Sequence, residues 1–183
     1  MAFHHVVEFY GADRDALVQH IGRYAAEGLQ AGEAVIIIAN RGLHDAIFAI
    51  VDRLRAEDEP DTGGRLCVLD SEKMLGELYA GGRLSADRFD EVVGGLLRGI
   101  ILQSHSYRMR VFGDMVGILW QRGNRRDAIE LERYWNDFQA RLPFDLYCGY
   151  RVDASDKEQA AAISPIVSEH SEVVHTKQYA RSS

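Results

Sequence analysis

Asp114 closes the apolar run Val111–Phe112–Gly113 inside the stretch RMRVFGDMVGILWQRGN (Arg108 to Asn124), and Asp70 closes a second run, RLCVL. A carboxylate at the end of a buried strand is where α/β proteins hold a metal or activate a water. A pair of them across two strands could do acid–base work. Such acids also cap the following helix or pair with an arginine, here Arg110. Neither brings a nucleophile or a phosphate site with it, so a ligand-contacting or structural role is expected for both, and no catalytic residue is assigned.

The seven histidines include His4, His5, His170 and His175, which could in principle converge as ligands. Adjacent His4 and His5 in a strand point to opposite faces, and the five-residue spacing of His170 and His175 fits one helix face poorly. Hydrogen-bonded structural histidines are therefore expected, with no metal. Cys67 and Cys148 lie in separate apolar runs and read as buried free thiols, without zinc or disulfide spacing.

A phosphate cradle fails on its lysine. A Walker A loop needs Gly-x-x-x-x-Gly-Lys-Ser/Thr after a strand, because backbone N–H groups and the lysine hold the phosphates. The only lysines are Lys73, Lys157 and Lys177, none after a glycine and none before Ser or Thr. The first strand runs instead into GADRDALV, whose two aspartates repel phosphate. Gly-x-Gly-x-x-Gly after a strand, Gly-x-Ser-x-Gly and His-Glu-x-x-His are all absent. No cofactor is expected.

The elements that must position these residues alternate in period. HHVVEFY (His4–Tyr10), EAVIIIA (Glu33–Ala39), RLCVLD (Arg65–Asp70), the run around Val111, and FDLYCGYRV (Phe144–Val152) read as strands. The unbroken Val/Ile run of Glu33–Ala39 predicts burial on both faces, as in the middle of a parallel sheet. Helices are predicted between them, with Asp13, Ser71, Ser85 and Asn124 as caps. Asn124 with Asp127 resembles a capping box. EQAAAISPIVSEHSEV is expected to be a last helix bent near Pro165. The order β-α-β-α-β-α-α-β-α-β-α predicts an α/β fold, an open, mostly parallel sheet with helices on both faces. Ligands of such sheets sit beyond the carboxyl ends of the strands, here a rim of Tyr10, Asn40, Asp70, Asp114 and Tyr150–Asp153. One domain over residues 1–176 is expected, followed by a flexible polar tail at 177–183, with EDEPDTGG (Glu57–Gly64) as an interior loop.

The 183 residues suffice for one core, 46% hydrophobic and 27% charged. The formal net charge of −7 argues against nonspecific nucleic-acid binding. No apolar run approaches the ~20 residues of a membrane span, and the N-terminus lacks a secretory pattern, so a cytoplasmic protein is expected.

The pieces HHVVEFY, EGLQAGEAVIIIA, LDSEKMLGELYAGGRLSADRF, RVFGDMVGILWQRGN, AIELERYWNDF, FDLYCGY and EHSEVV, in this order, resemble the MEDS domain, the sensory domain of regulators in methanogens and methylotrophs, of the RecA/KaiC-like superfamily. The resemblance covers nearly the whole chain. It implies a three-layer parallel-sheet fold whose nucleotide-binding loop is lost, a non-enzymatic sensory role, and a small organic ligand such as a hydrocarbon derivative. Its output would pass to a regulator: a histidine kinase, an anti-sigma factor or a transcription regulator in trans. A homodimer is the expected assembly. The motif match carries over His5 and Tyr10, then Arg110, Asp114 and Trp120, then Glu132, Trp135 and Asn136, with Tyr150 and His170 near the end. Trp135, on a helical stripe with Ala128, Leu131 and Phe138, reads as scaffold. The family usually has Glu at the position of Asp114, so the carboxylate here sits on an arm one methylene shorter. The competing reading is a residual ATP- or GTP-binding protein.

Overall fold

Every residue of the strand AVIIIA (β2, Ala34–Ala39) is buried, because helices cover it on one side and a second helical layer covers it on the other. Each Val or Ile withdrawn from water contributes roughly 1.5–3 kcal/mol. The computed structural model describes residues 3–56, 64–103, 108–153 and 157–175. The predicted tail, 177–183, and most of the loop Glu57–Gly64 lie outside these residues.

Six strands form the central sheet: β1 (His5–Tyr10), β2, β3 (Arg65–Asp70), β6 (Met109–Gly113), β7 (Asp145–Arg151) and β8 (Glu172–His175). Their order is β3-β2-β6-β7-β1-β8, and every pairing is parallel. Two short strands, β4 (Tyr79–Ala80) and β5 (Arg83–Leu84), make a separate antiparallel ribbon. Helices α1 (Asp15–Gln30) and α2 (Arg41–Ala56) cover one face of the sheet. The other face carries α3 (Ser71–Glu77), α4 (Ala86–Phe89), α5 (Gly95–Gln103), α6 (Met115–Gln121), α7 (Arg125–Gln139) and α9 (Ser164–Ser168), while α8 (Lys157–Ala162) leads into α9. A π-helical turn, Asp90–Gly94, joins α4 to α5. The crossovers by α1 and α2 run towards the β3 edge, and those on the opposite face run back towards β8. All therefore share one hand, as parallel crossovers do.

This layout places two junctions where the following helices leave on opposite faces, β2 beside β6 and β7 beside β1. Such junctions open crevices at the carboxyl ends of the strands. At the second junction α6 lies almost on β7: a Cβ on Gly117 would collide with the Gly149 carbonyl oxygen, so only glycine permits the approach.

Three segments differ from the sequence reading. MVGILWQ forms α6, a helix buried nearly all round, whose unbroken apolar run carries no helical period. The expected last helix divides at Ile163 into α8 and α9, and after a turn at 169–171 the chain enters β8 along β1. Asp70, not Ser71, caps α3, accepting from Lys73 N at 2.8 Å. The caps at Ser85 and Asn124 are as expected. In the second, Asp127 is too short to reach the Asn124 backbone and takes its side-chain amide instead, at 2.7 Å.

Candidate functional site

Asp114 ends β6 at the β2/β6 junction and is 4% exposed. Its Oδ2 accepts from the Asn40 backbone N–H (3.2 Å) and side-chain amide (2.9 Å), while its Oδ1 is buried without a partner. Burial pushes this carboxyl above the ordinary aspartate range, against the opposing pull of Ser71 and Asn40. The arginine expected beside it is elsewhere. Arg110 sits at the amino end of β6, where Nε donates to Glu33 Oε2 at 2.6 Å, Nη1 donates to the Tyr24 carbonyl at 3.0 Å, and the guanidinium lies 5.0 Å from the Tyr24 ring. A strand's length therefore separates Arg110 from Asp114, and the expected pairing does not form. Asp70 is exposed at the start of α3.

At the β7/β1 junction, Trp120 is buried on α6 with its ring edge-on to Tyr150 and the Arg125 guanidinium 5.0 Å away. A cavity of about 400 Å³ opens there, lined by Trp120, Gln121, Arg125, Arg151, Asp153 and Gln159. Tyr10 ends β1 nearby. Its hydroxyl pKa is pushed up to about 12, first by burial and then by the charge of Asp114.

The densest chemistry lies deeper. Strand alternation sends His5, Val7 and Phe9 of β1 to the same face as Leu146, Cys148 and Tyr150 of β7, and the register sets Val7 opposite Cys148. Helix α7 crosses this face and buries Glu132 completely. His170 arrives from the turn between α9 and β8. His5 Nε2 lies 3.3 Å from Glu132 Oε2, and His170 Nε2 lies 3.4 Å from Glu132 Oε1. Cys148 Sγ is 3.4 Å from Glu132 Oε2 and 3.5 Å from His5 Nε2. Tyr150 donates its hydroxyl to Glu132 Oε1 at 2.7 Å. Burial alone would raise the Glu132 carboxyl, but the imidazoles of His170 and His5 outweigh it and hold the group well below the usual range. Burial opposes a proton on His170, and Glu132 reverses that, so its pKa is raised. The thiol of Cys148 and the phenol of Tyr150 are pushed up by burial and by Glu132.

The opposite face of the same two strands holds a simpler arrangement. Glu8 is fully buried and accepts from the Tyr147 hydroxyl at 2.7 Å, and the His20 Nδ1 lies 3.0 Å from it. The His20 side chain is 46% exposed, so that imidazole shares its charge with water.

His5, Glu132, Tyr150 and His170 thus meet in one cluster, and Trp120 touches it through Tyr150. Tyr10 and Asp114 stay at the rim, and Asp70 and Arg110 belong to neither group. Trp135 is core, as expected. Cys148 is the member the sequence reading left out. The available signal was its position two residues before Tyr150 in an alternating strand, which puts both side chains on one face.

Comparison with family profiles gives a match over residues 4–166 to MEDS, the MEthanogen/methylotroph, DcmR Sensory domain. The chain belongs to the MEDS family. No curated protein and no solved structure matches it significantly. MEDS domains are sensory and not catalytic. The matched part of this MEDS domain includes His5, Glu132, Cys148 and Tyr150, and His170 follows it directly. Among the described residues, no helix is long and apolar enough to cross a membrane.

Proposed function

We propose that this MEDS domain senses a small organic ligand bearing an anionic group, taken up in the cavity at the carboxyl end of β7 and reported to a regulatory protein in trans. The observation that carries this reading is the cavity itself. Its volume of about 400 Å³ falls in the range of small-molecule sites, which run to roughly 300–1,000 Å³. The Trp120 ring offers an apolar wall, and the arginines Arg125 and Arg151 outnumber the single carboxylate of the lining, Asp153. Its place at a switch point of a parallel sheet is where ligands of such folds bind. Tyr150 links the cavity wall to the buried cluster, which gives binding a route into the fold. A kinase, an anti-sigma factor or a transcription regulator is the class of receiver, and a RecA/KaiC-like ancestry is consistent with the all-parallel sheet.

Calorimetric titration with short-chain carboxylates, matched alcohols, and ATP or GTP with magnesium tests the proposal. Carboxylates should bind saturably, and Arg151→Ala should weaken them about tenfold, the loss of roughly 1.4 kcal/mol. Trp120→Ala should abolish binding. Saturable binding of nucleotide alone would replace this reading with the residual nucleotide-binding one, and no saturable ligand in any class would remove it.

A further inference from the structure

We propose that His5, Glu132, Cys148 and His170 form a four-ligand site for a divalent transition-metal ion of the zinc class, set between β1, β7, α7 and the turn before β8. The first support is spacing. Zinc holds nitrogen and oxygen at about 2.0–2.1 Å and thiolate sulfur at about 2.3 Å, so a tetrahedral shell has N–O edges near ~3.4 Å and S–N or S–O edges near ~3.6 Å. Three observed separations share one oxygen of Glu132 and match these edges: 3.3 Å from His5 Nε2 to Oε2, 3.4 Å from Cys148 Sγ to Oε2 and 3.5 Å from Sγ to His5 Nε2, while His170 Nε2 approaches the other oxygen, Oε1, at 3.4 Å. All four donor atoms lie within 4.8 Å of one another, so the longest edges need to close by about an ångström or so to complete the shell.

The second support is the protonation pattern. The Asn136 amide nitrogen donates to the Glu169 carbonyl (3.0 Å) and lies 3.2 Å from its carboxylate, which fixes the amide so that Oδ1 faces His5 Nδ1 at 2.8 Å. An oxygen acceptor there requires the His5 proton on Nδ1. His170 Nδ1 faces the Ile166 carbonyl at 2.7 Å, with the same consequence. Each neutral ring therefore turns an unprotonated Nε2 inward, and His170 Nε2 is a buried atom with no hydrogen-bond partner. Two lone pairs aimed at a carboxylate repel it, so the arrangement calls for a cation at the centre, either a proton on one Nε2 or a metal ion between the rings. Outer hydrogen bonds that fix a ligand histidine's tautomer are the usual surroundings of a metal-bound imidazole, and Tyr150 supplies the matching bond to the ligand carboxylate.

The third support is charge. One protonated imidazole would balance Glu132 and leave the second ring and the thiol without a charge partner, whereas protonating both would bury two cations around one carboxylate. A dication balanced by one thiolate and one carboxylate leaves the site neutral. Uptake displaces the Cys148 thiol proton to solvent, and the metal–sulfur bond takes its place. Mixed N, S and O donors in a closed shell select zinc-like ions, with no open position for catalysis. The Glu8 site on the opposite face shows the contrast: one half-exposed imidazole, one phenol and no sulfur. The proposal does not depend on a ligand in the rim cavity.

The test is titration of the 183-residue chain, stripped with chelator, with Zn²⁺ and with Co²⁺. The expected result is one ion per chain, a raised melting temperature, release of about one proton, and a Co²⁺ spectrum with tetrahedral ligand-field bands and a thiolate-to-cobalt charge-transfer band. Cys148→Ser should remove the charge-transfer band, and His170→Ala should weaken uptake by about 100-fold or more. His20→Gln, in the Glu8 site, should change neither. The absence of saturable uptake by the wild-type chain, or an octahedral spectrum without the sulfur band, overturns the proposal even if the variants fail to fold. A charge-transfer band that survives in Cys148→Ser overturns it as well.

Discussion

Asp114 and Glu132 are both acids withdrawn from water, and their charges are governed in opposite ways. Around Asp114 stand an amide, a backbone N–H and a hydroxyl, all neutral, so burial prevails and the carboxyl is pushed up. Around Glu132 stand two imidazoles, a phenol and a thiol, and the imidazoles reverse a stronger burial effect. The depth of an acid therefore says little about its role, and the groups that face it decide it. The strand-end position that makes Asp114 conspicuous in the sequence belongs to a half-satisfied acid. The helix position that makes Glu132 inconspicuous belongs to the chemical centre.

Three measurements probe that contrast. Glu132→Ala leaves two buried imidazoles and a phenol without their common partner and should cost about 3–5 kcal/mol in urea denaturation of the metal-free chain. A loss below about 1 kcal/mol would mean that no ionic centre exists there, and the distinction between the two acids would fall. Tyr150→Phe removes the shortest hydrogen bond to Glu132 and should cost about 1.5–3 kcal/mol by the same method. Asp114→Asn should work the other way. Because the folded state raises the pKa of Asp114, its ionised form costs stability above that raised pKa, and the cost vanishes as pH falls to the unfolded value near 3.9. The variant should therefore melt about 2–4 °C higher than wild type at pH 7, with the gain shrinking towards pH 4. An unchanged gain across that range would show that ionisation of Asp114 is not its source.

The sequence makes the sheet legible through runs such as AVIIIA, whose lack of polar alternation can only mean cover on both sides. It hides α6, because a helix apolar on every side has the same signature as a buried strand. It hides β8, because four residues after a proline-containing segment carry too short a pattern. The resemblance to the family brings His5, Glu132, Tyr150 and His170 onto the page without saying that they touch. Spacing could not supply the contact, since the ligand atoms come from the first strand, a helix, a late strand and the turn before the last one. One local signal was present: Glu132 is four residues after Ala128 and three before Trp135, on the stripe that the sequence marks as buried. A carboxylate there needs partners. The expectation of no metal rested on comparing His4, His5, His170 and His175 with one another along the chain, and the fold pairs two of them, His5 and His170, with Glu132 instead.

The crossing of the chain at His5 and His170 also orders events in time. Before these two rings can meet, β7 must dock against β1 and the following segment must return over α7 to lay β8 along the edge. Contacts so distant along the chain form late, since their loops are the most expensive to close. The cluster therefore ties together four separate parts of the fold, β1, α7, β7 and the turn before β8, and whatever occupies it holds all four at once.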